Sequence, residues 1–148
     1  MSSLFESLPF LASYQLSFAV LAALSLTTLV QNFLTALAFQ TEEQVPGMPL
    51  NFDHSKLSFR VLRTYSNSAE SLPAFGWALL VAVVAGASPS LVNWLAGIYF
   101  VFRIAFWAIY YSGVGKIAGG PRTMAFVGGL LTNIALAITA LWAVLTVV

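Results

Sequence analysis

Hydrophobic positions in this chain gather into four long runs, separated by short polar or helix-breaking segments. The first extends from about residue 11 to 39 and stops at Thr41, Glu42 and Glu43, followed by Pro46, Gly47 and Pro49. The second starts near Ser55 or Lys56 and reaches about residue 85, where Gly86, Ser88 and Pro89 interrupt it. The third covers roughly 90 to 112 and stops at Gly113 and Gly115. The fourth opens at Pro121, a residue favoured in a first helical turn, and continues to about 147. At about 1.5 Å of rise per residue, each run is long enough to cross a hydrocarbon core of about 30 Å. Two-residue alternation, which a membrane barrel requires, is missing from stretches such as 78–84 and 130–141. The pattern therefore predicts an all-α integral membrane protein. It is read as a single four-helix domain over 1–148, with transmembrane helices at about 11–39, 56–85, 90–112 and 121–147.

Composition supports a membrane setting and narrows the chemistry. Of 148 residues, 59% are hydrophobic and 7% charged, whereas roughly a quarter of an average soluble domain is charged. A net charge of +1 gives no electrostatic reason to expect nucleic acid as a partner. The absence of cysteine excludes disulfides, thiolate metal sites and cysteine nucleophiles. One histidine, His54, excludes a His-rich metal site within a subunit, so no metal is expected; His54 itself is read as an exposed loop residue. Residues 1–11 contain Glu6 and no Lys or Arg, so the first run is taken as a retained span rather than a cleaved signal.

Cations set the orientation. With four spans, the loops after the first and third face the same side, and Lys56, Arg60, Arg63, Lys116 and Arg122 all lie in or beside them. Both termini and the turn at 86–90 carry no Lys or Arg. By the positive-inside rule the cation-bearing loops are cytoplasmic and both termini lie on the non-cytoplasmic side.

The densest polar run is Arg63, Thr64, Tyr65, Ser66, Asn67, Ser68 and Glu70, which leads through Pro73 and Phe75 into the apolar part of the second span. Arg63, Asn67 and Glu70 stand at i, i+4 and i+7 and share one helix face, where they either bind a ligand or cap and pack the bundle. Arg103 lies inside the third span about nine residues, or roughly 13 Å, from its cytoplasmic end, at a depth similar to Glu70. An unpaired charge there would cost several kcal/mol, so the two are expected to meet, directly or through water or ligand, as a structural pair or as part of a site. Tyr110 follows Arg103 at i+7 with Phe106 between, and Arg122 opens the fourth helix on the membrane side of Arg63. Gln31, Asn32 and Asn133 are read as helix-to-helix hydrogen-bonding groups, and Pro73 is expected to kink the second helix.

The spacing Arg63, Asn67, Glu70, Pro73, Phe75 resembles the signature of the MAPEG family, the membrane-associated proteins of eicosanoid and glutathione metabolism. Arg103 followed by Tyr110, and Pro121 with Arg122, add to the resemblance, which covers nearly all of the chain after the first helix. It implies a homotrimer binding glutathione as co-substrate between neighbouring subunits near the cytoplasmic face, in a bacterial inner membrane. Arg63, Asn67 and Glu70 would hold the tripeptide's polar ends and Tyr110 would contact it from the third helix. Arg122, or Lys116 in its place, would be catalytic through stabilising the thiolate. These roles match the ligand's chemistry: Arg63 suits one of its two carboxylates, and Glu70 suits its ammonium. The implied activity is that of a transferase or peroxidase on hydrophobic electrophiles delivered from the bilayer. Members often carry an arginine late in the first helix and further tyrosines, where this chain has Phe39, Gln40, Ser71 and Phe106. A non-catalytic lipid-binding or scaffolding protein of the same fold is the alternative, and a small carrier using Glu70 and Arg103 a third.

Overall fold

Proline and glycine punctuate the helices of the computed structural model, which describes residues 4–39, 53–114 and 119–146. The four long helices are α1 (Gln15–Phe39), α2 (Leu57–Val84), α3 (Pro89–Ser112) and α4 (Pro121–Thr146). Pro89 and Pro121 occupy first-turn positions, where a missing N–H costs nothing. Gly113 ends α3 in the left-handed region at φ +68°, its N–H bonded to the Tyr110 carbonyl. Each of the four is long and apolar enough to span a membrane, and the described residues contain no strand. The expected all-α, four-span architecture is what forms.

The first apolar run is not a single helix. Pro9 opens a 3₁₀ segment, Pro9–Tyr14, that follows a short turn of helix at Leu4–Ser7 and passes directly into α1. The junction is tied to the start of α3: Asn93 Oδ1 accepts from Ser17 N (3.1 Å) and Ser17 Oγ (2.7 Å), and Asn93 Nδ2 donates to the Ser13 carbonyl (2.7 Å). The Tyr14 hydroxyl donates to the Ala87 carbonyl in the turn before α3. These bonds satisfy polar groups that lipid cannot.

Helices α2 and α3 form the middle of the bundle, and α1 and α4 each pack against both. Buried positions on α3 include Val92, Ala96, Tyr99, Arg103, Phe106 and Tyr110, and on α4 Ala125, Gly129, Thr132, Leu136, Ala140 and Ala143; both sets recur at three- and four-residue intervals and form inward seams. Phe75 of α2 stacks on Tyr99 of α3 with ring centroids 4.4 Å apart. Between α3 and α4, a Cβ on Gly128 would fall 2.4 Å from the Phe102 ring, so any larger residue there requires that ring to shift. Outside, Trp77, Trp94 and Trp142 stand exposed among leucines and valines, as on a lipid-facing surface.

Hydroxyls within the spans are mostly satisfied by their own helix: Ser25, Thr27, Thr28, Thr132 and Thr139 each donate to the carbonyl four residues earlier. The expected hydrogen bonding by Gln31 does not occur among the described residues, where Gln31 is 2% exposed and neither amide atom has a partner. Asn32 faces outward and Asn133 lies in the α4 seam. The side-chain hydrogen bonds between the long helices come, among the described residues, from Asn93, Arg103 and Trp107 instead. Helix α2 continues through Pro73 as one element. Gln40 and Lys116 lie outside the described residues.

Candidate functional site

The inward seam of α2 carries Val61, Thr64 and Ser68, all buried. Arg63 and Asn67 each precede a seam residue by one position, about 100° around the helix, which places them at the edge of the bundle interior. A cavity of about 480 Å³ opens beside them. Its α2 wall is Phe59, Arg63 and Asn67; α3 contributes Phe106 and Tyr110; α4 contributes Arg122, Thr123 and Phe126. His54, from the segment before α2, closes the remaining side. Of the six site residues expected from the sequence, Arg63, Asn67, Tyr110 and Arg122 thus line one space, while Arg103 and Glu70 do not.

Arg103 lies behind the cavity, 4% exposed. Its Nη1 donates to Asn67 Oδ1 (2.5 Å) and its Nη2 to Ser68 Oγ (3.0 Å), and its guanidinium carbon lies 5.3 and 5.7 Å from the ring centres of Phe106 and Trp107. Trp107 Nε1 donates to the same Ser68 hydroxyl at 3.0 Å, and that hydroxyl donates to the Thr64 carbonyl at 2.8 Å. Two neutral acceptors and two aromatic faces compensate the buried cation. The expected direct meeting with Glu70 is therefore corrected. Glu70 is exposed, two residues or about 200° beyond Ser68, so its side chain leaves on the opposite side of α2. Arginine has donors only, so its bond to Asn67 fixes which way that amide faces: the oxygen is committed to Arg103, and the Nδ2 donors are left for the cavity.

Electrostatics in the cavity are one-sided. Arg63 and Arg122 line it, and among the described residues no carboxylate does. The Arg122 guanidinium carbon lies 4.6 Å from the centre of the Tyr110 ring, a cation–π contact that holds both at the cavity wall. Anions are the natural ligands, with Phe59, Phe106 and Phe126 supplying apolar surface beside them.

His54 was expected to be an exposed loop residue and is instead half-buried on the cavity wall. Asp53 Oδ1 accepts from Ser55 N (2.9 Å) and Ser55 Oγ (2.6 Å), forming an Asx turn around His54, while Arg60 Nη1 donates to the carbonyls of His54 (2.9 Å) and Ser55 (2.6 Å). The imidazole sits edge-on to Phe59 with centroids 4.8 Å apart, and its Nδ1 is 3.4 Å from the Tyr110 hydroxyl. Burial, then Arg122 and Arg63, with a smaller push from Arg60, hold its pKa below the ordinary histidine value, and Asp53 opposes them in part. The signal that was present in the sequence is the Asp53-His54-Ser55 turn just ahead of a helix bearing Arg60. The 56 residues separating His54 from Tyr110 hid their contact.

No curated protein matches the chain. The MAPEG family model matches residues 15–142, a stretch that takes in α1, most of α4 and every side chain lining the cavity, and the chain accordingly belongs to the MAPEG family.

Proposed function

We propose that the protein is a membrane-bound, glutathione-dependent transferase or peroxidase acting on hydrophobic electrophiles. One observation carries this reading: Arg63, Asn67, Tyr110 and Arg122, brought from three helices, line a single cavity whose described residues include two cations, no carboxylate and aromatic walls. Its volume of about 480 Å³ falls in the usual range of small-ligand sites. Glutathione supplies two carboxylates and a thiol, which suit the Arg63 guanidinium, the Asn67 Nδ2 donors and the Arg122 guanidinium. Arg122, second residue of α4, adds its charge to the positive end of a helix dipole, and both favour a thiolate over a thiol. Positioning this nucleophile beside Phe106 and Phe126 lets an apolar acceptor approach from the bilayer.

Glu70 fits the same proposal at the subunit's edge. An exposed carboxylate on a spanning helix is costly in lipid; in a homotrimer it would face the neighbouring subunit, where it could hold the ligand's ammonium at a shared site. The cation-bearing loops, and with them the site, face the cytoplasm in this reading, with both termini on the other side of a bacterial inner membrane.

Calorimetric titration of the purified protein with glutathione, paired with stopped-flow thiolate absorbance, tests the proposal. Absence of binding in the millimolar range removes it. A lipid-binding role without catalysis is favoured by one separate feature, a larger cavity of about 650 Å³ against Trp94, Gly97, Ile98, Val101 and Phe102 of α3, lined by no ionisable group. Tight retention of lipid there, together with a thiol pKa unchanged on glutathione binding, would favour that role.

A further inference from the structure

We propose that His54 is the proton acceptor for the bound thiol and receives the proton through the Tyr110 hydroxyl; this rests on the glutathione reading above. The case begins with elimination. A thiol that becomes a thiolate must give its proton to something, and the described residues lining the cavity include no carboxylate, cysteine or lysine. Arg63 and Arg122 offer N–H donors and no acceptor. They can stabilise the anion once formed but cannot take its proton. Among the lining residues, the imidazole of His54 is the one group whose lone pair is available near neutral pH.

Geometry connects this base to the place where the thiolate would sit. His54 Nδ1 lies 3.4 Å from the Tyr110 hydroxyl, a long contact of the kind that tightens when ligand binds. The Tyr110 ring in turn carries the Arg122 guanidinium on its face at 4.6 Å. A thiol drawn to Arg122 is therefore drawn to Tyr110 as well. The backbone around His54 is held, through the Asp53–Ser55 turn and the two carbonyl bonds from Arg60, so the imidazole is presented by built structure.

The transfer balances. The thiol S–H proton passes to the Tyr110 oxygen as the Tyr110 O–H proton passes to His54 Nδ1, leaving a thiolate, a neutral tyrosine and an imidazolium. The S–H electron pair stays on sulfur, and the imidazolium later returns its proton to solvent or to the leaving group. Charges on every neighbouring element bear on this step: Arg60 and Arg63 on α2, Tyr110 on α3, Arg122 on α4, and Asp53 beside the imidazole. Without ligand, burial and then the arginines hold the His54 pKa below the ordinary histidine value, which leaves its lone pair free. Two carboxylates and a forming thiolate offset those arginines, so the imidazole regains basicity as the reaction requires it.

Because His54 is the chain's one histidine, nitrogen-labelled imidazole gives an unambiguous NMR signal. Glutathione added to the wild-type protein near neutral pH should convert that signal to imidazolium. S-methylglutathione, which has no thiol proton, should bind and leave it neutral, and Tyr110→Phe should slow thiolate formation in stopped-flow absorbance. His54→Gln should bind glutathione within about threefold of wild type but lose ~10²-fold in turnover, with the acidic limb of its pH–rate profile removed. The proposal is overturned if wild-type His54 stays neutral with glutathione bound, or if His54→Gln forms thiolate to the wild-type extent at the same pH. A wild-type protein that binds no glutathione overturns the transferase reading itself, and this step with it. Glutathione that binds without protonating His54 removes only this step.

Discussion

Replacing Ser68 with alanine should be among the most damaging single-atom deletions in the bundle. The Ser68 hydroxyl accepts from Arg103 Nη2 and Trp107 Nε1, both at 3.0 Å, and all three residues are at most 5% exposed. Alanine keeps the helix and the packing but strands two buried donors, one of them charged. An average interhelical hydrogen bond in lipid is worth roughly 0.6 kcal/mol and the best about 1.7; a stranded buried donor costs about 1–3 kcal/mol, more when it is charged. Two donors place the expected loss at ~3 kcal/mol. Ser71→Ala is the internal control, three residues along the same helix. The Ser71 hydroxyl bonds only to the carbonyls of Asn67 (2.7 Å) and Ser68 (3.3 Å), so its loss should cost no more than ~0.5 kcal/mol. Equilibrium unfolding in mixed micelles, followed by circular dichroism, compares the two. Adding Arg103→Met to Ser68→Ala should recover part of the loss, because a buried cation without its partner is worse than an apolar side chain. If Ser68→Ala and Ser71→Ala lie within about 0.5 kcal/mol of each other, Ser68 does not organise the helix interface as described.

Arg63→Leu and Arg122→Leu should each raise the glutathione Kd about 10–100-fold, the worth of charge-assisted bonds of about 1.5–3 kcal/mol; only Arg122→Leu should also lower the thiolate fraction of bound ligand, which absorbance at saturation would show. Gly113→Ala forces a side chain into a left-handed position at φ +68° and sets its Cβ 3.1 Å from the Arg60 guanidinium carbon. It should cost about 1–2 kcal/mol in unfolding experiments and broaden the His54 NMR signal by loosening the Arg60 clamp. Stability of the unliganded protein should fall as pH drops below ~6.5, because His54 has a depressed pKa when folded and the unfolded chain takes up the proton first. The loss should level off once the folded imidazole also protonates, and an unfolding series over this range with His54→Gln should lack that step.

The spans were legible because lipid imposes a blunt rule: backbone must bond internally over about 30 Å, so a run of apolar residues of sufficient length between Pro and Gly clusters is a helix. The Pro89 and Pro121 starts and the Gly113 stop follow from the local chemistry of those residues. The 3₁₀ entry at Pro9–Tyr14 was not legible in the same way, because hydrophobicity reports what lies in lipid and not how tightly it coils. Its geometry is held by Asn93, 80 residues from its partner Ser13. Hydrogen bonds over that separation leave no periodic trace.

The site divides along the same line. Spacing within one helix placed Arg63 and Asn67 on a common face, and counting residues placed Arg103 at the depth of Glu70, whereas the partners it finds on α2 are Asn67 and Ser68. Depth is one coordinate of two. The direction in which a side chain leaves its helix, relative to the helix it must reach, depends on how the pair is rotated, and two residues of α2 decide between Ser68 facing Arg103 and Glu70 facing away. A carboxylate would have been the stronger partner for a buried cation, yet the seam residue at that level is a serine. The consequence reaches the cavity: Arg103, bonded to neutral acceptors, keeps its full charge while turning the Asn67 amide, so the cavity gains donors from Asn67 and loses no positive field to an internal carboxylate. A Glu70 in that position would have neutralised Arg103 and added a negative charge behind a cavity whose other ionisable walls are Arg63, Arg122 and a neutral His54. The outward rotation of Glu70 is thus what leaves the interior of this subunit uniformly suited to an anion.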